Sequence, residues 1–380
     1  MLRTRSPFLS AFLVLVGTII GAGVFGVPLV FSRMGLLVGS LAFWGVALLV
    51  LASHLLFAEV IARDGKQRRL PGYVGNVLGR WAEHAAVISH SFHLIGSNLA
   101  YLILGGEFLA VLTASVLPNV HVIGWQTVFW VGGAVTVLAG IHVMTRVESF
   151  MAWIEISSMA LIAGLAFFFI KYPVTVSLDW SQATVGLGVF LFALSGLSVM
   201  PEVYELTGRR IGLTRRVTIA STALTALLTW LFGIGMYLAA GGRELGTAAE
   251  IALILPPGIG WLIPFFGFFA VATSYLTTAF DLRAMCVYDL KWRSSVASLL
   301  ALGTPFALLF FTTRNFFTTI DVVGAIFSGT NALLITLVAF VLMRRSKKRV
   351  PFWWRTLVPL AAAALFLFVI LQRVATSGVH

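Results

Sequence analysis

Residues 17–28 read Gly17-Thr18-Ile19-Ile20-Gly21-Ala22-Gly23-Val24-Phe25-Gly26-Val27-Pro28, in the middle of an apolar run from 8 to 32. The run is long enough to cross a bilayer, which takes about 20 residues of helix. Yet each glycine costs a helix about 1 kcal/mol against alanine, and Gly17, Gly21, Gly23 and Gly26 fall within ten residues. A second stretch has the same contradiction: Phe192-Ala193-Leu194-Ser195-Gly196-Leu197-Ser198-Val199-Met200-Pro201-Glu202 places Gly196 and Pro201 in the middle of an apolar segment. Unwound backbone at membrane depth is tolerated only where it is buried in protein or lines a water-filled cavity. Two interrupted segments in matching places of two halves point to a binding site between them. A single interrupted span would read more simply as a packing notch for a neighbouring helix.

The rest of the chain supports a membrane reading. Of 380 residues 59% are hydrophobic and only 11% charged, against roughly 45–50% and 25% in soluble domains. That balance excludes a water-soluble enzyme or a nucleic-acid binder, despite the net charge of +12. Eleven apolar segments are marked: 8–32, 36–62, 81–113, 122–144, 147–171, 183–207, 217–240, 261–282, 295–312, 319–343 and 352–373. Continuous runs of this length do not suit barrel strands, which alternate over roughly 10 residues. The connections are short, so a single transmembrane domain over 1–380 is expected: repeat one 8–171, repeat two 183–343, and an extra helix 352–373. The basic start could pass for a signal peptide, but apolar character continues to Phe31, so it is read as a retained first span. With the N-terminus inside, all of the 26 basic residues except Arg33, Lys171, Arg243, Arg314 and Arg373 fall on the cytoplasmic side. The positive-inside rule therefore places the N-terminus in and the C-terminus out.

In these stretches the chain resembles the amino acid/auxin permease and hydroxy/aromatic amino acid permease families of the amino acid–polyamine–organocation superfamily. Gly17–Pro28 and Phe192–Glu202 carry the likeness most specifically; Gly96–Leu109, Ala272–Leu282 and Thr304–Gly329 follow in family order. The chain is short for those families, and the Leu70–Gly75 loop and the region after span ten are compact. The resemblance implies an all-helical LeuT-type fold of two inverted five-helix repeats with spans one and six broken around a central site. It implies that an amino acid's carboxylate rests on the amides of Gly21, Ala22 and Gly23. It places the amino group on the carbonyls of Ile19, Phe192 and Ala193, near the Ser195 hydroxyl, with Tyr101 reaching in from span three and Phe192 as a lid. For a coupled sodium ion it implies the carbonyls of Gly17, Ile20 and Ala270 with the hydroxyls of Thr273 and Ser274. A cofactor other than the coupling ion, Na+ or H+, is not implied, nor is an obligate protein partner. The expected home is the plasma membrane, the inner membrane in a bacterium.

Proton coupling competes with sodium. Glu155 lies near the middle of span five, where an ionised group is costly and burial favours its protonated form. It is read either as a proton carrier or as a carboxylate satisfied by neighbouring hydroxyls. His90, His93, Ser97 and Tyr101 share one face of span three, and either histidine is a relay or a capped structural residue. Glu202 and Glu205 read as partners of Arg209 and Arg210, in a gate or in a surface network. Glu148, beside Arg146, reads as a solvated end residue. Cys286, the one cysteine, excludes a disulfide within the chain. An intramembrane metal enzyme using His90, His93 and His142 lacks an HExxH frame. A sensor built on a transporter fold is the alternative to transport.

Overall fold

The computed structural model describes residues 6–66, 68–139, 141–170, 180–244, 248–256, 258–312, 314–345 and 351–377, and leaves aside the side chains of 141–150, 181, 248, 249, 288 and 377. His142, Arg146 and Glu148 thus lie outside the described side chains. Among the described residues all regular structure is helical. Among them, eight helices are long and apolar enough to cross a membrane, and one bent pair, Pro7–Ile19 with Ala22–Met34, forms a further span whose halves meet at 42°. Two shorter apolar helices, Val122–Leu138 and Ser294–Leu308, fall at the segments expected for spans four and nine. The outer surface carries exposed Leu48, Trp81, Leu299 and Phe311, an exterior suited to lipid rather than water.

The boundaries shift where local chemistry overrides apolar length. The helix of span four ends at Leu138 and span five runs Ile141–Phe168, both earlier than expected. The Leu70–Gly75 loop is instead the start of a helix, Leu70–Leu78, with Pro71 in its first turn. Proline is tolerated there because its missing N–H would have had no intrahelical acceptor.

The same reasoning corrects the part expected of Pro201. It does not interrupt a helix but sits in the first turn of Met200–Leu206, as Pro28 does in Val27–Met34. The breaks themselves are made six or seven residues earlier. Span one leaves helical geometry at Ile20 (φ −74°, ψ 99°) and Gly21 (φ −144°, ψ −159°) and resumes as a 3-10 turn, Ala22–Gly26. Span six stops at Leu194; Ser195 is extended, Gly196 sits at φ −138°, ψ 19°, and a 3-10 turn, Leu197–Val199, leads into the second half.

Glycines allow these irregular segments to pack. A Cβ on Gly23 would lie 2.5 Å from Ala193 Cα, so the two broken spans touch backbone to backbone. A Cβ on Gly324, in a wide i→i+5 turn of span ten (Val323–Ser328), would lie 1.8 Å from the Gly188 carbonyl oxygen. On the Met34 side of the break, Phe25 is fully buried among Phe108, Phe232 and Phe266, with ring centroids at 4.8, 5.6 and 5.5 Å. Edge and tilted ring contacts of this kind contribute about 0.5–1.5 kcal/mol each beyond burial.

Candidate functional site

The two breaks and spans three and eight enclose a cavity lined by Thr18, Ile19, Gly21, Gly23, His93, Tyr101, Phe192, Ser195, Ser198, Ser274, Thr277 and Thr278. Helix ends expose backbone groups that have no intrahelical partner, so a cavity between two half-helices offers amides and carbonyls together. Of the residues expected to hold an amino acid, Ile19, Gly21, Gly23, Tyr101, Phe192 and Ser195 line it. Ala22 and Ala193 do not; both are buried behind the wall, Ala193 against Gly23. The space left for the centre of a water molecule is about 20 Å³, room for one or two waters. The Tyr101 and Phe192 rings lie 6.1 Å apart and tilted at 54° across it. The place a Cβ on Gly21 would take is 2.4 Å from Ser274 Oγ and 4.0 Å from the Tyr101 hydroxyl, so Gly21 keeps spans one and eight close.

Next to this cavity lies the set expected for an ion. Glu155 is fully buried, and the Thr273 hydroxyl donates a hydrogen bond to its Oε1. Its other oxygen, Oε2, faces span one, 3.7 Å from where a Cβ on Gly17 would stand. Ile20 and Ala270 are fully buried. Thr273 Oγ1 also lies 3.1 Å from the Ala270 carbonyl oxygen, so the carboxylate, the Thr273 hydroxyl and the last turn of the first half-helix converge. The resemblance placed the threonine and the glycine together; that Glu155 reaches the same point from span five is visible only in three dimensions.

Toward the Pro7 end, polar contacts close the space below the cavity. The Thr278 hydroxyl bonds to the Ser274 carbonyl at 2.7 Å and also approaches Asn98 Oδ1. His93 Nδ1 lies 3.1 Å from Ser328 Oγ. His90 Nε2–H donates to Asp281 Oδ2 at 3.2 Å, and its Nδ1 faces Asn331 Nδ2 at 3.4 Å. Arg69, in the connection before the Leu70 helix, pairs with Glu202 on the second half of span six and with Asp281 Oδ1 on span eight at 3.2 Å. Burial works against the Arg69 charge, but Asp281 and Glu202 outweigh it and hold its pKa above the ordinary guanidinium value. Asp289, just beyond span eight, is pushed up by burial against the pull of Arg69. The arrangement expected of the two glutamates is therefore half right: Glu205 pairs with Arg209, but Glu202 turns inward to Arg69.

Sequence reasoning passed over Arg69, Asn98, Asn331 and above all His54. His54 in span two is fully buried, accepts the Gly196 N–H at 3.0 Å and lies 3.2 Å from Thr222 Oγ1. An ionisable side chain well inside a span is itself a signal, because such residues are rare unless they have a task.

The model of the tryptophan/tyrosine permease family matches residues 4–378 of the chain. In shape the chain is similar to the crystal structure of MhsT in complex with L-phenylalanine: the TM-score is 0.70 at 16% identity, covering 96% of this chain and 98% of that one. At that identity the likeness establishes the LeuT-type fold. No curated protein sequence matches the chain. The chain belongs to the tryptophan/tyrosine permease family, and it is a membrane transporter rather than an enzyme.

Proposed function

We propose that this member of the tryptophan/tyrosine permease family carries an amino acid with an aromatic or neutral side chain into the cell together with a cation, by alternating access. The observation that carries this reading is the cavity between the two breaks, with the Glu155–Thr273 pair beside it. The neighbour of like fold holds L-phenylalanine, which supports an aromatic substrate here. The substrate carboxylate rests on the amides of Gly21, Ala22 and Gly23, near the positive end of the half-helix Ala22–Met34. The ammonium group rests on the carbonyls of Ile19, Phe192 and Ala193 and the Ser195 hydroxyl, with the side chain between Tyr101 and Phe192.

The coupling cation sits at Glu155 and Thr273, with the carbonyls of Gly17, Ile20 and Ala270 and the Ser274 hydroxyl. A carboxylate there serves either cation: it can take up a proton, or add a negative charge to an all-oxygen site for sodium. The N-terminus is cytoplasmic by the positive-inside rule, so Arg69 with Glu202 and Asp281 closes the inner path and the Phe25 cluster closes the outer one. The chain divides into two five-span repeats and an eleventh helix, in the plasma membrane.

The test is uptake of labelled amino acids into proteoliposomes under sodium and proton gradients imposed separately. Accumulation under one gradient supports the reading and names the cation. Binding without accumulation under either gradient replaces it with an amino acid sensor, and no binding of any amino acid removes the substrate assignment.

A further inference from the structure

We propose that His54 is a positioning residue for the broken sixth span. It would hold the Gly196 amide so that the carbonyls of Phe192 and Ala193 and the Ser195 hydroxyl face the substrate's amino group. The inference rests on the reading of those groups as the amino-group site.

Gly196 directly follows Ser195, where the helix Leu187–Leu194 has ended, so its N–H has left the i→i−4 ladder. A buried donor without an acceptor costs about 1–3 kcal/mol. Here the acceptor is His54 Nε2 at 3.0 Å, supplied from 142 residues away. A backbone N–H can only donate, so Nε2 carries the lone pair and the ring proton is on Nδ1. That proton faces Thr222 Oγ1 of span seven at 3.2 Å. One neutral imidazole thus ties spans two, six and seven together at the break. From the other side, span one leaves no slack: a Cβ on Gly196 would stand 2.9 Å from both Leu15 Cδ1 and Ile19 Cγ1. His54 is not among the residues lining the cavity, so it acts on the substrate only through the backbone.

Two substitutions separate the ring's two nitrogens. A glutamine amide reaches the place of Nε2, whereas an asparagine amide reaches only that of Nδ1. Full-length protein in nanodiscs would be read by hydrogen exchange of peptides covering 192–199 and by affinity for labelled L-phenylalanine. With His54→Asn, exchange at the break rises and affinity falls about tenfold, the loss of one buried hydrogen bond; with His54→Gln, both stay within about threefold of wild type. Equal behaviour of the two variants, or unchanged exchange with His54→Asn, overturns the proposal. Thr222→Val gives a second arm that keeps the Nε2 bond: break exchange should stay low, and a tenfold loss of affinity there would move the role to span seven and overturn it. Should wild-type protein bind no amino acid, the amino-group site falls, while the exchange measurements still decide whether His54 holds the break.

Discussion

The Thr273 hydroxyl of span eight donates to the Glu155 carboxylate of span five, whose second oxygen faces Gly17 of span one. A buried carboxylate, a buried hydroxyl and the last turn of the first half-helix meet there, one turn before the chain unwinds at Ile20. An ionised group there is costly without a counter-charge, so under the proposed coupling its charge state is tied to the cation it would take. Glu155→Gln is expected to lower accumulation of substrate against a gradient to about equilibrium, while exchange of internal for external substrate stays within about threefold. Proteoliposome uptake and counterflow on the same preparation check this; undiminished accumulation would remove Glu155 from coupling.

Arg69 pins span six to span eight through Glu202 and Asp281. Removing one partner of a largely buried pair is more damaging than removing both, since it leaves charge uncompensated. Arg69→Gln is expected to open the Pro7 side of the cavity, the inner side in the proposed orientation. Cys286, the one cysteine of the chain, is fully buried at the Arg283 end of span eight and serves as a native reporter of that opening. Its labelling by a maleimide should rise about tenfold in the variant, the equivalent of about 1.4 kcal/mol. Unchanged labelling, with transport intact, would make the network an ordinary surface feature.

Gly23 faces the Ala193 backbone, which cannot rotate aside as a side chain can. Gly23→Ala is therefore expected to destabilise the protein by about 1–3 kcal/mol, as overpacking does, in addition to narrowing the approach of a carboxylate. Gly21→Ala meets Ser274 Oγ instead, a hydroxyl that can turn, and should cost less. Thermal unfolding of the two purified variants compares them, and equal losses would contradict the backbone contact.

Asp321 of span ten faces the backbone amides of Gly188 and Val189 at the start of span six, and pairs with Arg373 of the last helix at 2.7 Å. Gln372 adds a hydrogen bond to Thr184 at 3.1 Å. Asp321→Ala should cost about 1–3 kcal/mol through the orphaned amides. Asp321→Asn, which keeps an acceptor and loses the ion pair, should cost less. Chemical denaturation in detergent distinguishes them.

Much of the fold was legible because bilayer length, glycine spacing and basic connections are local properties. The two breaks could be placed to within a turn from Gly17–Gly26 and from Ser195-Gly196. What local pattern could not supply was who answers whom. Pro201 looks like a breaker in sequence, yet the chain had already left the helix at Ser195, so the proline falls where it is harmless. Glu202 lies near Arg209 and Arg210 in sequence but finds Arg69, because the second half of span six points its first turn inward. His54 is 142 residues from Gly196, and nothing in span two announces the amide it serves. The likeness to other permeases put Thr273 and Ser274 near Gly17; it did not bring Glu155 there.

The crossing of Gly188 and Gly324 carries a mechanical consequence. Where two main chains touch with no side chain between them, neither can slide along the other without collision, but each can turn about the point of contact. Span ten therefore supplies a fulcrum for the first half of span six. The distance from that crossing to Ser195 is the lever arm by which a small tilt of the first half of span six becomes a displacement at its break. Adding even a methyl group at Gly324 would move the pivot, and with it the stroke.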